Sequence, residues 1–264
     1  MSEKELKLLT MQVLPIADEA AQFIKGQYGK VGSKDIEEKS RNSLVSFVDK
    51  QAEKLLVERL STLLPDATFL TEEDTIINDR SNLVWIVDPL DGTTNFLQQI
   101  PFFSVSIALE HEGTMVLGVV QSILQGETFY AWQGGGAFCN KTPIKVDDPK
   151  GLDQTVLATG FPYAHRTEAY LQTLQEFLVE VQGLRRLGSA ALDMAYVAAG
   201  RFGAYYEFNL NIWDVAAGAT IVREAGGVVS GFYDSDGWKN GKYVLASAPS
   251  IIDDMRSVIA RHHP

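Results

Sequence analysis

Val84-Trp85-Ile86-Val87-Asp88-Pro89-Leu90-Asp91-Gly92-Thr93-Thr94-Asn95-Phe96 sets an apolar run against an abrupt polar stop. Four consecutive apolar residues read as a buried strand, and Asp88-Pro89 ends it, because proline fixes its own φ and pushes the preceding residue out of the helical region. Beyond the stop, Val105, Ile107 and Leu109 alternate with Ser104, Ser106 and Ala108, which predicts a second strand. Glu112-Gly113 then turns the chain, and Met115 to Val120 reads as the strand returning. Glu127 to Trp132 is a further strand closed by Gly134-Gly135-Gly136. Three glycines also suit a phosphate cradle, but no Gly-Lys-Ser/Thr follows, so a hairpin turn at positive φ is the preferred reading.

Upstream the period changes to 3.6. Leu6, Leu9, Val13, Ile16, Ala20 and Phe23 form a helical stripe that Pro15 is expected to kink or delay. A second helix is predicted from about Phe47 to Leu64, stopping at Pro65, with the polar stretch Gly29 to Ser43 between them read as a mobile surface loop. The last third mixes helices (167–181, 189–199, 215–225, 250–261) with strands (156–159, 203–208, 228–232, 243–246). Mixed runs rather than strict βαβ alternation point to antiparallel or mixed sheets layered with helices, and away from a doubly wound fold.

The chain has 264 residues, 45% of them apolar and 22% charged. That bounds it to one domain, residues 1–264, of at most two closely merged halves meeting near residue 150. Thirty-four acidic against 23 basic residues give a net charge of −11, which argues against a general nucleic-acid or anionic-membrane binder. Cys139 is the one cysteine, so neither an intramolecular disulfide nor a thiolate zinc site is available. No signal peptide or stretch of about 20 apolar residues is evident, and a cytoplasmic protein is the expectation.

The chemistry concentrates after the first strand. Asp88 and Asp91 can converge on one hard cation if the chain turns between them. Gly92, Thr93 and Thr94 then offer successive N–H groups and two hydroxyls suited to a phosphate. The bland alternative is an Asx-turn with a helix cap. Two carboxylates do not fill a magnesium shell, so others must come from elsewhere: Glu72 and Glu73 in Thr71-Glu72-Glu73-Asp74, and Asp214 in Trp213-Asp214-Val215. Each has its plain reading too, a solvated loop for the glutamates and a helix N-cap for Asp214. Asp88, Asp91, Glu72 and Asp214 carry −4 when ionised, and a phosphate monoester adds about −1.5 to −2. Such an assembly repels its own ligand unless divalent cations reverse the local sign. Arg185 and Arg186 are read as structural or interfacial. His165 is a candidate pocket residue, His262 and His263 sit at a terminus expected to fray, and Cys139 is read as packed.

Trp85 to Phe96 resembles the first signature of the inositol monophosphatase family, and Trp213-Asp214-Val215-Ala216-Ala217-Gly218 through Glu224-Ala225-Gly226-Gly227 resembles the second. The likeness runs from Asn42 to beyond Gly227. It implies a layered αβαβα sandwich with mixed or antiparallel sheets. It also implies Mg²⁺-dependent, lithium-sensitive hydrolysis of a small phosphate monoester, most simply myo-inositol 1-phosphate, with two to three Mg²⁺ per site and a homodimer. By position, Glu72, Asp88 and the Leu90 carbonyl correspond to ligands of one metal, and Asp88, Asp91 and Asp214 to those of a second. Gly92, Thr93 and Thr94 match the phosphate-holding turn. Thr93 with Glu72 matches the pair that orients water, and Asp49 the acid bonded to that threonine. Gly188, Ser189, Ala190, Glu207 and Asp214 correspond to the wall facing the alcohol portion. Ser43 and Thr71 stand where many members carry Asp and Gly, and none of Lys30, Lys34 and Lys39 aligns with the family's loop lysine. Related substrates remain open: a nucleotide 3′-phosphate, histidinol phosphate or fructose bisphosphate. So does a non-catalytic metal- or protein-binding module.

Overall fold

A computed structural model of the chain describes residues 1–32, 36–40, 43–73, 81–161 and 168–263, with only the backbone of 36–40 and 43–45. Helix α1 (Glu3–Gln27) begins at a capping box in which Ser2 and Glu5 satisfy each other's N–H groups. It runs unbroken through Pro15, so the expected delay is not seen; burial of its Leu6, Leu9, Val13, Ile16 and Ala20 stripe outweighs the one ladder bond that proline removes. The segment expected as a loop instead carries a short antiparallel pair, β1 (Ile36–Ser40) and β2 (Ser43–Ser46). Its Ile-Glu-Glu-Lys-Ser strand has no apolar alternation, and no period-2 signal exists to read. Helix α2 (Phe47–Leu63) follows at once from a second capping box, Ser46 with Asp49.

Strands β3 (Thr68–Thr71), β4 (Leu83–Asp91), β5 (Ser104–His111), β6 (Thr114–Ser122), β7 (Glu127–Trp132), β8 (Gly136–Cys139) and β9 (Thr142–Ile144) form one sheet in sequence order. β3 and β4 are parallel and every other neighbour pair is antiparallel. The short helix α3 (Thr93–Leu97) hangs from the end of β4. A second sheet has the order β11 (Gly183–Arg185), β10 (Val156–Thr159), β12 (Ala204–Phe208), β14 (Tyr243–Ser247), β13 (Val228–Ser230). β11, β10 and β12 pair in parallel, and β14 runs antiparallel to both its neighbours, β12 and β13. The remaining helices are α4 (Glu168–Glu180), α5 (Ala190–Ala198), α6 (Ile212–Glu224) and α7 (Ile252–His262).

Side-chain alternation stacks these elements in five layers. Trp85, Val87, Val105, Ile107 and Leu109 face α1 and α2, while Ile86, Ala108, Val120 and Ala131 turn to α5 and α6 between the sheets. Small residues on the inner face let alanine-rich α5 and α6 lie close. On the second sheet Tyr205 and Ala246 point inward, while Tyr206 and Leu245 point outward under α4 and α7. The architecture is the layered mixed α/β arrangement expected. Gly134 and Gly136 both adopt positive φ in the β7–β8 hairpin, and their N–H groups donate to the Glu224 carboxylate at 3.0 and 2.9 Å. That anion is internal to the fold. The C-terminal histidines are not frayed: α7 extends to His262, which pairs with Glu176. His263 packs edge-on to Phe208 and Phe232. His165, Lys34 and Asp74 lie outside the described residues.

Candidate active site

The β4–β5 register explains how Asp88 and Asp91 meet. Asp88 pairs with Ser106 and Asp91 with Ser104, so three steps on β4 oppose two on β5. In a regular strand, residues three apart point to opposite faces; the one-residue bulge at Pro89-Leu90 cancels that. Proline lacks the N–H a regular ladder needs and is tolerated there. The Asx-turn considered from sequence is also present, made by Asp88, whose Oδ1 accepts the Leu90 N–H at 2.9 Å. Asp88 and Leu90 are each 1% exposed.

Gly92 then takes φ of +96° as the N-cap of α3. A Cβ there would lie 3.1 Å from the Gly188 carbonyl and 3.2 Å from that of Phe102, so only glycine admits both this φ and this approach. The turn leaves the first N–H groups of α3, on Thr93 and Thr94, without intrahelical acceptors. The Thr93 hydroxyl lies 2.9 Å from Asp49 Oδ1 and 3.0 Å from the Leu90 carbonyl. Having one hydrogen, it donates to one of them at a time and keeps lone pairs for a further donor. Asp49 is held in turn by the Ser46 N–H and hydroxyl at 2.8 and 2.7 Å.

A cavity of about 260 Å³ opens over this corner. It brings together Glu72, Asp91, Gly92, Thr93, Thr94, Gly188, Ser189, Ala190, Glu207 and Asp214 from the expected set. Asp88, Leu90 and Asp49 are buried beneath this lining, Asp88 within the field of Glu72, Asp91 and Asp214. Asp91 joins the two halves of the lining, since its Oδ2 accepts the Ser189 hydroxyl and the Ala191 N–H, the latter at 2.8 Å. Asn95 ties the same elements, donating to the Phe102 carbonyl at 2.7 Å and the Leu187 carbonyl at 2.8 Å. Asp214 is the third residue of α6 rather than its cap, and accepts the Asn211 N–H at 2.6 Å. Glu207 accepts the Tyr205 hydroxyl at 2.7 Å and lies flat over Gly160, where a Cβ would fall 1.9 Å from its Oε2.

Three residues outside the expected site set line or support the cavity. Asp193, on α5, is 1% exposed and lines the cavity. Asn95 was quoted only as part of a signature. Arg186, expected to be structural or interfacial, lines the cavity with its guanidinium 4.9 Å from the Phe161 ring.

The electrostatics are those of crowded, buried acids. Burial raises Asp88 well above the ordinary carboxylate range, and Glu72, Asp91 and Asp214 add to it. Burial lifts Asp91 to about 6 against the bonds from Ser189 and Ala191, and raises Asp214 well above its usual value with help from Asp91. Asp193 is likewise raised by burial, then by Glu207 and Asp91. Glu207 reaches about 7, burial outweighing the Tyr205 bond and Arg186. Among the described residues no group of three or more His, Cys, Asp or Glu is closed around a single metal-sized point. Asp88, Asp91 and Asp214 are each turned toward a donor of their own. Yet the donor set is all oxygen, which suits magnesium or calcium rather than zinc or copper, and the mutual repulsion of these acids is what a bound cation relieves.

The sequence profile of the inositol monophosphatase family matches residues 6–261. The chain belongs to this family. It is 43% identical over 224 residues to a protein named inositol-1-monophosphatase from Mesorhizobium japonicum, covering 84% of this chain and 83% of that one. It is 39% identical over 224 residues to the Nus factor SuhB of Pasteurella multocida, covering 84% of each. Among solved structures, the extragenic suppressor protein suhB of Bartonella henselae superposes with a TM-score of 0.92 at 40% identity, over 96% of this chain and 98% of that one. The family is one of phosphatases, and no helix among the described residues is long and apolar enough to cross a membrane.

Proposed function

We propose that this chain hydrolyses a small phosphate monoester with Mg²⁺, and that myo-inositol 1-phosphate is its substrate. The observation that carries this reading is the bulge after Val87, which turns Asp88 and Asp91 to one side where Glu72 and Asp214 share their field. Glu72, Asp88, Asp91, Asp214 and the Leu90 carbonyl are the oxygens that would hold two to three ions. When bound, magnesium neutralises phosphate charge, acidifies water and stabilises the leaving alkoxide.

The chain's own residues do the positioning. The amides of Gly92, Thr93 and Thr94 bind phosphate oxygens. Asp49 fixes the Thr93 hydroxyl, which with Glu72 orients a water for attack in line with the ester oxygen. Gly188, Ser189 and Ala190 hold the near side of the alcohol, together with Asp214. Glu207 accepts hydrogen bonds from its hydroxyls. Arg186, the one cation among the described lining residues, lies in the field of Asp193 and Glu207, which favours a neutral polyol over a second phosphate.

Support for the substrate comes from the Mesorhizobium relative's name. The name Nus factor on other relatives favours a second reading, in which the fold serves as a protein-interaction module. Phosphate release from myo-inositol 1-phosphate, titrated with Mg²⁺ and then Li⁺, separates the two. Turnover that requires Mg²⁺ and falls with Li⁺ supports the enzyme; none across a panel with nucleotide 3′-phosphate, histidinol phosphate and fructose bisphosphate refutes it. A homodimer is part of the same proposal, and sedimentation at micromolar concentration tests it.

A further inference from the structure

Helix α2 carries two buried carboxylates one turn apart. Asp49 and Glu53 are 1% and 0% exposed, and positions i and i+4 lie on one side of a helix. Asp49 has an evident task, the Thr93 hydroxyl. Glu53 does not line the cavity, and burying a carboxyl group is costly unless it is hydrogen-bonded. Its Oε2 accepts the Glu73 N–H at 2.8 Å. β3 ends at Thr71, so the sheet ladder does not extend to Glu72 and Glu73. At that point a carboxylate from α2 supplies an acceptor.

We propose that Glu53 is a positioning residue for Glu72. By holding the peptide N–H of the next residue, it anchors the chain leaving β3 and fixes the direction in which Glu72 enters the cavity. Asp49 and Glu53 together then set Thr93 and Glu72 from one rigid element, with anchors about 6 Å apart along the helix axis. The two anchors of the pair assigned to orient water are thus one helical turn apart. This inference rests on the role of Glu72 given under Proposed function, whereas the anchoring itself is tested without it.

The test uses the full chain with Glu53→Gln, which keeps an acceptor oxygen, and Glu53→Leu, which fills similar space without one. Hydrogen exchange of the Glu73 amide is followed by NMR in EDTA, and Mg²⁺ binding by calorimetry. Glu53→Gln is expected to keep the Glu73 amide protected and Mg²⁺ affinity within about fivefold of the parent, a neutral acceptor replacing a charged one. Glu53→Leu is expected to expose that amide to exchange and weaken Mg²⁺ binding by about 10–100-fold, with KM at saturating Mg²⁺ little changed. Unchanged protection of Glu73 in Glu53→Leu overturns the proposal, as does an equal loss of affinity in both variants, which assigns the effect to charge or packing. If Glu53→Leu does not fold, a 10–100-fold loss in folded Glu53→Gln with Glu73 still protected overturns it alone. Glu72→Gln is the control: full Mg²⁺ affinity there refutes the metal role of Glu72 and leaves the exchange result standing.

Discussion

Replacing Glu207 by Gln tests the electrostatic reading through stability rather than turnover. Burial lifts this carboxyl from an ordinary 4.5 to about 7 in the folded chain. Between those values the folded state holds a proton that the unfolded state has released, so stability falls as pH rises through the window. Below about 4.5 both states are protonated and nothing is lost; above about 7 the loss is complete. With about 1.4 kcal/mol per unit, the shift corresponds to about 3 kcal/mol in all, of which about 2.5 falls between pH 5 and pH 8. Gln keeps the shape and can still accept from Tyr205, whose hydroxyl donates at 2.7 Å, but does not titrate. Urea unfolding of both proteins in EDTA at pH 5 and pH 8 is the assay. Asp88 and Asp91, also raised, slope the same way in both proteins and cancel in the difference, whereas Asp193 and Asp214 lose the part of their rise that Glu207 contributes, which adds to the variant's gain. The variant is expected to gain about 2–3 kcal/mol on the parent between the two pH values. Parallel curves refute the argument, because they place Glu207 in an environment as wet as the unfolded chain.

Removing the hydroxyl in Thr93→Ala is expected to lower kcat by about 10²-fold or more, with Thr93→Ser recovering most of it; steady-state kinetics at saturating Mg²⁺ decide. Asn95→Ala leaves the Phe102 and Leu187 carbonyls without their shared donor, and thermal unfolding is expected to show about 1–3 kcal/mol of destabilisation. Glu224→Ala frees the N–H groups of Gly134 and Gly136; it is expected to cost about 1–3 kcal/mol in urea unfolding with kcat and KM intact. Adding Mg²⁺ at about 100 times its dissociation constant is expected to stabilise the chain by about 3 kcal/mol. The shift in Tm at fixed Mg²⁺ is expected to be larger at pH 8 than at pH 5, where a proton competes for Asp91, lifted to about 6 by burial.

What the sequence discloses depends on how far apart cause and effect lie along the chain. The apolar run ending at Asp88-Pro89 is a local signal, and so is the alternation of β5, since each follows from the pleat of one strand. The bulge is not local: Pro89 permits it, but only the pairing of Asp88 with Ser106 and Asp91 with Ser104 imposes it. Ser104, Ser106 and Ala108 look like an outward polar face, yet Ala108 packs under α6 and the Ser106 hydroxyl donates to the Trp213 carbonyl. Small residues there are read correctly only once a helix is known to cover them. Mid-helix acids hide most completely, because Glu53 and Asp193 have the composition of solvated positions and only burial reveals them. The place of Arg186 at the cavity is hidden for a related reason, that cavity being built by segments from both sheets. A signature therefore discloses the residues that meet the ligand. The groups that aim them come from other elements, and their effect appears only when α2, β3 and the β4 turn are in one place. Variants outside the signature, Glu53 first, are for that reason the sharper probes of whether this arrangement is assembled for catalysis.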